Sequence, residues 1–382
     1  MAQWNRVPLI DYIELIGGGT PKTTVPEYWN GNIPWLSVKD FNNDKRYVYS
    51  TEKHISQSGF ENSPTKMLHK DDIIISARGT VGEIAMIPFD MAFNQSCYGI
   101  RASRGIDQPF LYYLLKNCIS QLKRMTHGSV FDTITRDTFA NIEVGIPDAE
   151  TQKRISSVLA DIDNKIEVND AINDNLHQQA ATLFKALFVD LTPFDGTMPP
   201  NWTISTLGDA TEMGAGGDKP KESSPVKTPL CPYPIYSNGI NDYGLYGYTN
   251  DPKIKVESVT VSARGTIGYV CLRHTPYVPI VRLVTLIPDT KVLSAKYLYL
   301  YLRQLHITGT GTTQQQLTVP DFRKTEIIIP DKNTMDSFTE TVTPLFEQIW
   351  ANEDENTKLA EVRDALLPKL MSGEIDVSDI QL

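Results

Sequence analysis

The sequence predicts an α+β protein with two similar domains, held apart by a pair of long antiparallel coiled-coil helices and related by a pseudo-twofold internal repeat. Three observations lead to this prediction. The heptapeptide at Ser76–Gly82 recurs in nearly the same form at Ser262–Gly268, 186 residues later. A long heptad pattern follows each copy, and a short Pro- and Gly-rich linker, Leu191–Trp202, joins the two halves. Duplication at this period indicates tandem domains rather than a solenoid.

The duplication extends beyond the heptapeptide. Phe139–Pro147 aligns with Phe322–Pro330 at an offset of 183, and the heptad positions that follow align at the same offset. A chain of 382 residues is long enough for two cores of ordinary size. The predicted segments are a first domain over residues 1–149, a central spacer helix over 150–191, a second domain over 192–330, and a carboxyl-terminal spacer helix and tail over 331–382.

The two spacer helices are predicted from apolar residues that step by three and four, with asparagines at equivalent places. Because the linker after the first helix is short and the second helix begins soon after the second domain, the helices should run antiparallel. The asparagines either hydrogen-bond to one another and set the register, or mark a solvated stretch between two shorter helices. The predicted seam consists of Ile155, Leu159, Ile162, Ile166, Asn169, Asn173 and Leu176, continuing to Leu183 and Leu187, against Val342, Leu345, Ile349, Asn352, Asn356 and Leu359. In this alignment Arg363 corresponds to Ala180.

Within each domain, Asp72–Ser76 and Ser258–Ser262 are predicted to be buried strands that lead into the repeated turn. Phe110–Leu122 and Lys296–Leu305 are predicted helices. The tyrosine stripe at 297, 299 and 301 is interpreted as packing rather than as a platform for stacking bases.

Charge is distributed unevenly along the chain. The formal net charge is −10, but residues 150–195 carry −4 and residues 331–382 carry −8, which leaves +2 for the rest. The globular parts therefore permit DNA binding without requiring it. Four cysteines without C-x-x-C spacing, together with the lack of a signal or membrane segment, predict a reduced, cytoplasmic protein.

The sequence contains no recognisable catalytic constellation. The phosphate-binding P-loop, the dinucleotide fingerprint, H-E-x-x-H and G-x-S-x-G are all absent. Ile-Pro-Asp occurs at 146–148 and at 329–331, and is interpreted as a repeated turn at a strand end rather than as a metal site. We therefore expect no catalytic residue, no metal and no cofactor in this chain.

The repeated Ser-Ala-Arg-Gly-Thr turn is the strongest candidate for a binding loop. An arginine, a glycine that allows close backbone approach and a threonine together suit a phosphate group. An arginine that ties a buried turn is an equally good interpretation. Other loops occupy common places in the two halves but carry different polar side chains, which indicates two related but different ligands. The clearest such pair is Thr126–Thr133 and Thr308–Gln316.

These features resemble the specificity subunits of type I restriction-modification enzymes over essentially the whole chain. The resemblance rests on Gly17–Lys22 followed by Ile33–Leu36, on the doubled Ser-Ala-Arg-Gly-Thr-x-Gly, on Ile-Pro-Asp before each helix, and on the closing Leu366–Ile375. The helix entries Glu150–Lys153 and Asn333–Asp336 lack the Glu-Gln pair often seen in the family.

The resemblance implies a non-catalytic DNA reader. Each domain would be a target-recognition domain for one half of a bipartite, asymmetric sequence, and the helices would set the gap. The implied partners are double-stranded DNA, two modification subunits that use S-adenosylmethionine to methylate adenine, and restriction subunits that use ATP and Mg. The residues expected at the DNA are Thr20, Lys22, Trp35, Ser37, Lys39, Arg78, Gly79, Thr80, His127, Gly128, Ser129, Lys219, Lys221, Ser237, Asn238, Arg264, Gly265, Thr266, Thr312, Thr313, Gln314, Gln315 and Gln316.

The alternative is a bivalent scaffold or glycan-binding protein that uses the tyrosine-rich stretch Tyr233–Tyr248 to stack on sugars. Ionic strength discriminates between the two, because DNA binding weakens steeply with salt through counterion release, whereas stacking on a neutral sugar does not.

Overall fold

The computed structural model describes residues 4–126, 133–309 and 316–380. The chain divides into unit 1, which is Met1–Ala171 with Asn352–Leu382, and unit 2, which is Ile172–Ala351. Each unit therefore contains one α+β domain together with one half of each long helix. The sequence predicts the two long helices as segments separate from the domains. In the structure, each half of each helix makes its contacts with the domain beside it and belongs to the same unit.

Unit 1 is built from short strands and a few helices. Its strands are β1 (Arg6–Pro8), β2 (Ile13–Gly17), β3 (Trp29–Leu36), β4 (Lys53–Ile55), β5 (Met67–Leu68), β6 (Ile73–Ser76), β7 (Ile84–Met86), β8 (Met91–Phe93), β9 (Cys97–Ala102) and β10 (Glu143–Gly145). Its helices are α1 (Gln57–Glu61), α2 (Gln108–Thr126), α3 (Arg136–Ala140) and the first part of α4 (Ala149–Phe184).

Two four-stranded sheets and one strand pair organise unit 1. The first sheet has the order β2-β9-β6-β7 and is antiparallel throughout. The second has the order β4-β3-β8-β5, in which β3 and β8 are parallel. β1 pairs with β10, so the start of the domain lies beside the strand that leads into α4. Strand β6 lies between β9 and β7 in the first sheet. Its residues Ile73, Ile74 and Ile75 are all fully buried, and such β-branched residues suit a sheet that is covered on both faces.

Unit 2 repeats this construction. Its strands are β11 (Thr203–Thr206), β12 (Thr211–Ala215), β13 (Ser223–Ser224), β14 (Tyr233–Tyr236), β15 (Leu245–Thr249), β16 (Ser258–Val261), β17 (Val270–Arg273), β18 (Val278–Pro279), β19 (Val284–Pro288) and β20 (Glu326–Ile329). Its helices are α5 (Leu207–Ala210), α6 (Ala295–Gln304), α7 (Val319–Phe322) and the first part of α8 (Lys332–Met371).

The first sheet of unit 2 corresponds to that of unit 1, whereas the second sheets share three strands and carry their fourth strand at opposite edges. The first has the order β12-β19-β16-β17, the second β13-β15-β14-β18 with β14 and β18 parallel, and β11 pairs with β20. The predicted strands before the repeated turn are β6 and β16, and the two predicted helices are α2 and α6. Tyr297 and Tyr299 are buried in the core of unit 2, which confirms their interpretation as packing residues.

An aspartate begins each long helix. Asp148 Oδ1 accepts the backbone N–H groups of Glu150 and Thr151, both at 3.0 Å. Asp331 Oδ1 accepts those of Asn333 and Thr334 at 3.1 and 3.3 Å. Hydrogen bonds from the following threonine and from the helix N-terminus hold the pKa of both carboxyls below its ordinary value. The repeated Ile-Pro-Asp is thus a strand end followed by a helix cap.

The long helices are antiparallel within each unit. In unit 1, α4 residues Asp163 and Asn169 contact α8 residues Arg363 and Asn356 respectively. In unit 2, the Nδ2 group of Asn173 donates to the carbonyl of Ile349 at 3.4 Å. With 36 residues, α4 is about 54 Å long at 1.5 Å per residue.

The seam asparagines bond to each other as the first interpretation predicted. Asn169 Nδ2 donates to Asn356 Oδ1 at 2.8 Å, and Asn356 Nδ2 donates to Asp170 at 2.9 Å. Asn169 is only 1% exposed, and α4 continues unbroken past it, so the alternative of two short helices is wrong. Of the other seam residues, Ile155, Leu159, Val342 and Ile349 are fully or almost fully buried, Asn173 and Asn352 are buried, and Ile162, Ile166, Leu176, Leu345 and Leu359 are half-buried.

The predicted seam fails at the end of α4. Leu183 is 36% exposed, and Phe184 and Phe188 occupy the core instead. The apolar steps from Ala180 are all of four residues, and a π-helical turn at Lys185–Val189 follows α4. A spacing of four residues is longer than one helical turn, so the buried stripe rotates around the helix and away from the heptad seam. The rings of Phe184 and Phe188 fill the core at this end of the helix.

Candidate nucleic-acid interface

The repeated turn of unit 1 is a tight loop between β6 and β7. Gly79 and Gly82 adopt φ values of 78° and 88°, in the region that favours glycine. The N–H of Gly82 donates to the carbonyl of Ser76 at 3.0 Å, and the N–H of Glu83 donates to Ser76 Oγ at 2.8 Å. Arg78, Gly79 and Thr80 are exposed at the tip.

Unit 2 forms the same loop between β16 and β17. Gly265 and Gly268 have φ values of 69° and 85°, and the N–H of Gly268 donates to the carbonyl of Ser262 at 3.0 Å. Arg264, Gly265 and Thr266 are exposed. The repeat in sequence is therefore a repeat in conformation.

The exposure of the two arginines bears on the two interpretations that the sequence left open, a phosphate contact and a tie to a buried turn. Within the part of the chain that the structure describes, the guanidinium of Arg78 has no hydrogen-bond partner. Arg264 donates through Nε and Nη2 to Gln316 Oε1 at 3.3 and 3.0 Å. Neither side chain ties a buried turn, because both are exposed. Each can reach a phosphate, Arg264 by giving up a bond to a side-chain amide.

Backbone hydrogen bonds bring a second loop to the Arg78 turn. The N–H groups of Ala77 and Arg78 donate to the carbonyl of Ser96 at 2.8 and 3.2 Å. The adjacent Gln95 side chain accepts a hydrogen bond from Thr20 Oγ1. Lys22, two residues further on, is exposed. The structure thus links the Arg78 turn to Thr20 through the Gln95–Ser96 loop.

Glycines allow these loops to approach so closely. A Cβ at Gly18 would lie 2.1 Å from the carbonyl oxygen of Asn94, and one at Gly19 would lie 2.4 Å from the N–H nitrogen of Thr65. The glycine run is therefore needed for backbone packing beneath the exposed residues.

Trp35 does not belong to the surface. It is 6% exposed, and its indole N–H donates to the carbonyl of Gly19 at 3.1 Å. This contradicts the expectation of direct contact for Trp35, which instead holds the glycine loop in place. Ser37 is half-buried, and its Oγ donates to Asp40 at 2.9 Å, whereas Lys39 is exposed. The sequence alone does not show whether Trp35 lies in the core or at an interface, because an aromatic residue beside polar ones is typical of both.

Asn238 also has a supporting role. Its Oδ1 accepts the N–H of Ala263 at 2.7 Å, and its Nδ2 donates to the carbonyl of Val281 at 2.6 Å. Through these two bonds Asn238 positions the Arg264 turn. Its amide still has a second N–H and a second oxygen lone pair, so contact with a base stays a prediction. Ser237 is half-buried beside it, with its N–H bonded to the carbonyl of Gly244 at 2.8 Å.

Two lysines extend the exposed surface of unit 2. Lys219 and Lys221 are both exposed, and Lys219 Nζ lies 5.1 Å from the ring centroid of Tyr246. That tyrosine is itself 52% exposed. Because the ammonium group of Lys219 and the ring of Tyr246 are both exposed, both are accessible to a ligand.

Arg282 is a candidate that sequence analysis missed. Val281 and Arg282 have φ values of 52° and 63° and are exposed. Their N–H groups donate to the carbonyls of Gly217 and Gly216, both at 2.9 Å, so hydrogen bonds hold them in a backbone region that β-branched residues seldom adopt. Among the described residues, the guanidinium of Arg282 has no partner. The sequence does contain an indication of this residue. At the offset of 186, Arg282 aligns with Ser96, so the second copy has a positive charge where the first copy has an uncharged serine.

Seven expected contacts, namely His127, Gly128, Ser129, Thr312, Thr313, Gln314 and Gln315, lie outside the described residues. Gln316 is described, and it accepts from Arg264.

In residues 4–126, 133–309 and 316–380, no group of three or more His, Cys, Asp or Glu side chains is placed to hold a metal ion. No helix in these ranges has the length and apolar character needed to cross a bilayer.

Comparison with known proteins gives a consistent family. The model of the type I restriction modification DNA specificity domain matches the chain twice, over residues 1–178 and 199–361. The specificity subunit of the MjaIX type I restriction enzyme from Methanocaldococcus jannaschii is 28% identical over 413 residues, covering 99% of this chain and 94% of the relative. That of the HindI enzyme from Haemophilus influenzae is 26% identical, covering 70% and 77%. The crystal structure of a type I restriction-modification S subunit from M. genitalium matches with a TM-score of 0.57 at 15% identity, covering 97% of this chain and 96% of that one, which supports the fold.

Proposed function

The chain belongs to the type I restriction-modification DNA specificity family, and we propose that it reads a bipartite, asymmetric DNA sequence, with each α+β unit binding one half. Members of this family are recognition subunits without catalysis of their own. One observation carries the proposal. The same tight loop exposes an arginine in both units, while the side chains grouped around that loop differ.

The shared and the differing parts have separate roles in this proposal. Arg78 and Arg264, with the glycine and threonine that follow each, bind phosphates, because they are exposed on identical backbone turns. Lys22 and Lys221, which each follow a proline after the glycine run, belong with this shared part. Thr20 and Lys39 in unit 1, and Lys219 and Gln316 in unit 2, differ in place or chemistry and account for different half-sites. The seven expected residues outside the described ranges belong to this second group.

The partners follow from the family. We propose that residues 1–149 and 192–330 are the two target-recognition domains and that the helices at 150–191 and 331–382 set the number of base pairs between the half-sites. Two modification subunits, which use S-adenosylmethionine, would methylate adenine at the sites read by this chain. Restriction subunits using ATP and Mg would cleave DNA, and the assembly would act in the cytoplasm.

The experiment is DNA binding by the full chain assembled with its modification subunits, measured on target and non-target duplexes at several salt concentrations. Arg78→Ala and Arg264→Ala should each weaken binding to all sequences alike and reduce the salt slope by about one, because each removes one phosphate contact. Lys332→Ala is the matched control. That lysine is exposed and paired with Asp336 at 2.9 Å on helix α8, so its loss should leave binding unchanged.

Two results would contradict the proposal. If Arg78→Ala affected only one base position of the target, Arg78 would read a base and not a phosphate. If both arginine variants bound as wild type does, or if binding hardly responded to salt, the repeated loops would not form a DNA interface.

A further inference from the structure

A buried ion pair joins the two long helices in unit 1. Arg363 Nη1 on α8 donates to Asp163 Oδ1 on α4 at 2.9 Å, and the hydroxyl of Tyr113 donates to Asp163 Oδ2 at 2.7 Å. Arg363, Asp163 and Tyr113 are 3%, 4% and 0% exposed. Arg363 also bonds to Asp44 at 2.8 Å and to Asp364 at 2.9 Å, two carboxylates that are largely exposed. Of these three carboxylates, only Asp163 is removed from water together with the guanidinium.

The equivalent place in unit 2 is apolar. At the offset of 183, Asp163 corresponds to Phe346 and Arg363 corresponds to Ala180. Asp107 and Ser294 cap α2 and α6 in the same way, and the sixth residue after the cap is Tyr113 in one and Leu300 in the other. Phe346, Ala180 and Leu300 are all buried in one apolar cluster. A polar triad in unit 1 is therefore replaced by three apolar side chains in unit 2.

The seam asparagines cannot distinguish the two helices. Asn169 and Asn173 on α4 correspond to Asn352 and Asn356 on α8 at the same offset. A second copy of α4 would present the same amide groups as α8 does. These residues therefore fix the register of an antiparallel pair but leave the choice of partner open.

We infer that the Asp163–Arg363 ion pair selects the helix partner, so that α4 accepts an α8 helix and rejects α4 of a second chain. In an antiparallel pair of two α4 helices, Asp163 would face Ala180 of the other copy. In a pair of two α8 helices, Arg363 would face Phe346. In the first pairing Asp163 loses the guanidinium to which it bonds. In the second, Arg363 loses its buried partner Asp163 and keeps on its own helix only Asp364, whose side chain is 61% exposed. Removing one partner of a buried ion pair is strongly unfavourable. This inference concerns helix association and is independent of DNA recognition.

Charge exchange between two full-length chains tests the inference. One chain carries Asp163→Arg and the other Arg363→Asp, each with a different affinity tag, and the two are expressed together. All chains, including the control chains and the reference chains that are otherwise wild type, also carry Asp44→Asn and Asp364→Asn, because these two carboxylates bond to Arg363 and would repel an aspartate at position 363. Within either chain the helices then bring like charges together, whereas pairing between the chains restores both ion pairs. After purification on both tags in succession, we expect a complex of one copy of each chain, with at least ten-fold more of the second chain retained than for two tagged wild-type chains.

Two controls separate partner choice from folding. The double variant D163R/R363D in one chain should be monomeric by sedimentation and should retain neither single variant, because its own ion pair is restored in reverse. The exposed pair Lys165–Glu355 joins the same two helices at 3.2 Å, with 48% and 46% of the two side chains exposed. Chains carrying K165E and E355K should therefore co-purify no better than wild type, since exposed pairs contribute little.

The inference is overturned if the complementary chains exchange no more than the exposed-pair control does. It is also overturned if chains carrying D163R associate as readily with their own kind as with chains carrying R363D. If neither single variant yields folded protein alone, the co-expressed pair still has to give the two-chain complex, and its loss while D163R/R363D folds would count against the inference.

Discussion

At the residue scale, Arg282 is the side chain whose role the structure changes most. It stands where unit 1 has Ser96, on a strained backbone beside the Arg264 turn. We predict that Arg282→Ser weakens DNA binding several-fold and lowers the salt slope by about one, because one phosphate contact is lost. Arg282→Lys should retain most of the affinity. Equilibrium binding at several salt concentrations measures both.

Arg104 is the matched control for this prediction. It is an exposed arginine with φ of 50°, but it follows the carboxyl end of β9, whereas Ser96 precedes the amino end of the same strand. Arg104→Ser should leave binding unchanged. If Arg104→Ser and Arg282→Ser lowered the DNA affinity equally, the loss would reflect the removal of any surface arginine, and Arg282 would not contact DNA specifically.

The candidate residues also show what a sequence can predict at this scale. The exposed Arg78 and Arg264 were identifiable because the whole turn is repeated. Trp35 was assigned to the DNA surface but is buried, and Asn238, assigned to the same surface, also bonds to two backbone groups. Residue type and place in a loop do not reveal which polar groups the fold already satisfies, because those partners come from distant strands.

At the scale of elements, the aspartate caps make the long helices sensitive to acid. Asp331 is held ionised by Thr334, by the helix N-terminus and by the indole N–H of Trp202, so its pKa in the folded state lies below the unfolded value. A depressed pKa adds stability that is present above the unfolded pKa and is lost as the pH falls through the folded one. This window lies below about pH 4.

The prediction for this cap uses two variants. Asp331→Asn should keep part of the cap at pH 7 but show a smaller loss of stability between about pH 4 and pH 2 than wild type. Asp331→Ala should have a lower Tm at pH 7 as well. Thermal unfolding as a function of pH, followed by circular dichroism, tests both. An acid profile of Asp331→Asn identical to that of wild type would mean that this carboxylate has no share in the acid sensitivity.

Elements with strong local patterns were predictable, and those defined by distant pairing were not. The long helices, α2, α6, β6 and β16 follow from periodicity and from runs of β-branched residues. The predicted seam was wrong at Leu183, because the buried positions Ala180, Phe184 and Phe188 are spaced by four residues. Strands such as β5 and β18 have two residues each, and their partners lie far along the chain, so the sequence carries no local signal for them.

At the scale of the whole molecule, the duplication carried the prediction furthest. A constant offset predicted two units of the same α+β fold. The strand order corresponds in the first sheet of each unit, and the second sheets differ in the place of their fourth strand. It did not predict where the copies differ chemically. Arg363 was aligned with Ala180 in the sequence, yet its ion pair with Asp163 required the contact itself to be seen. The two units therefore differ chemically at matched positions such as Arg363 and Ala180.

The central claim is that each unit reads its own half of the target. The most direct measurement replaces residues 1–149 with the equivalent domain of a relative, in a host with active modification subunits, and maps methylated adenines across the genome. The account predicts that one half of the split motif changes while the other half and the gap stay the same. If both halves changed together, or if the motif were unaltered, the two units would not read DNA independently, and the account would be wrong.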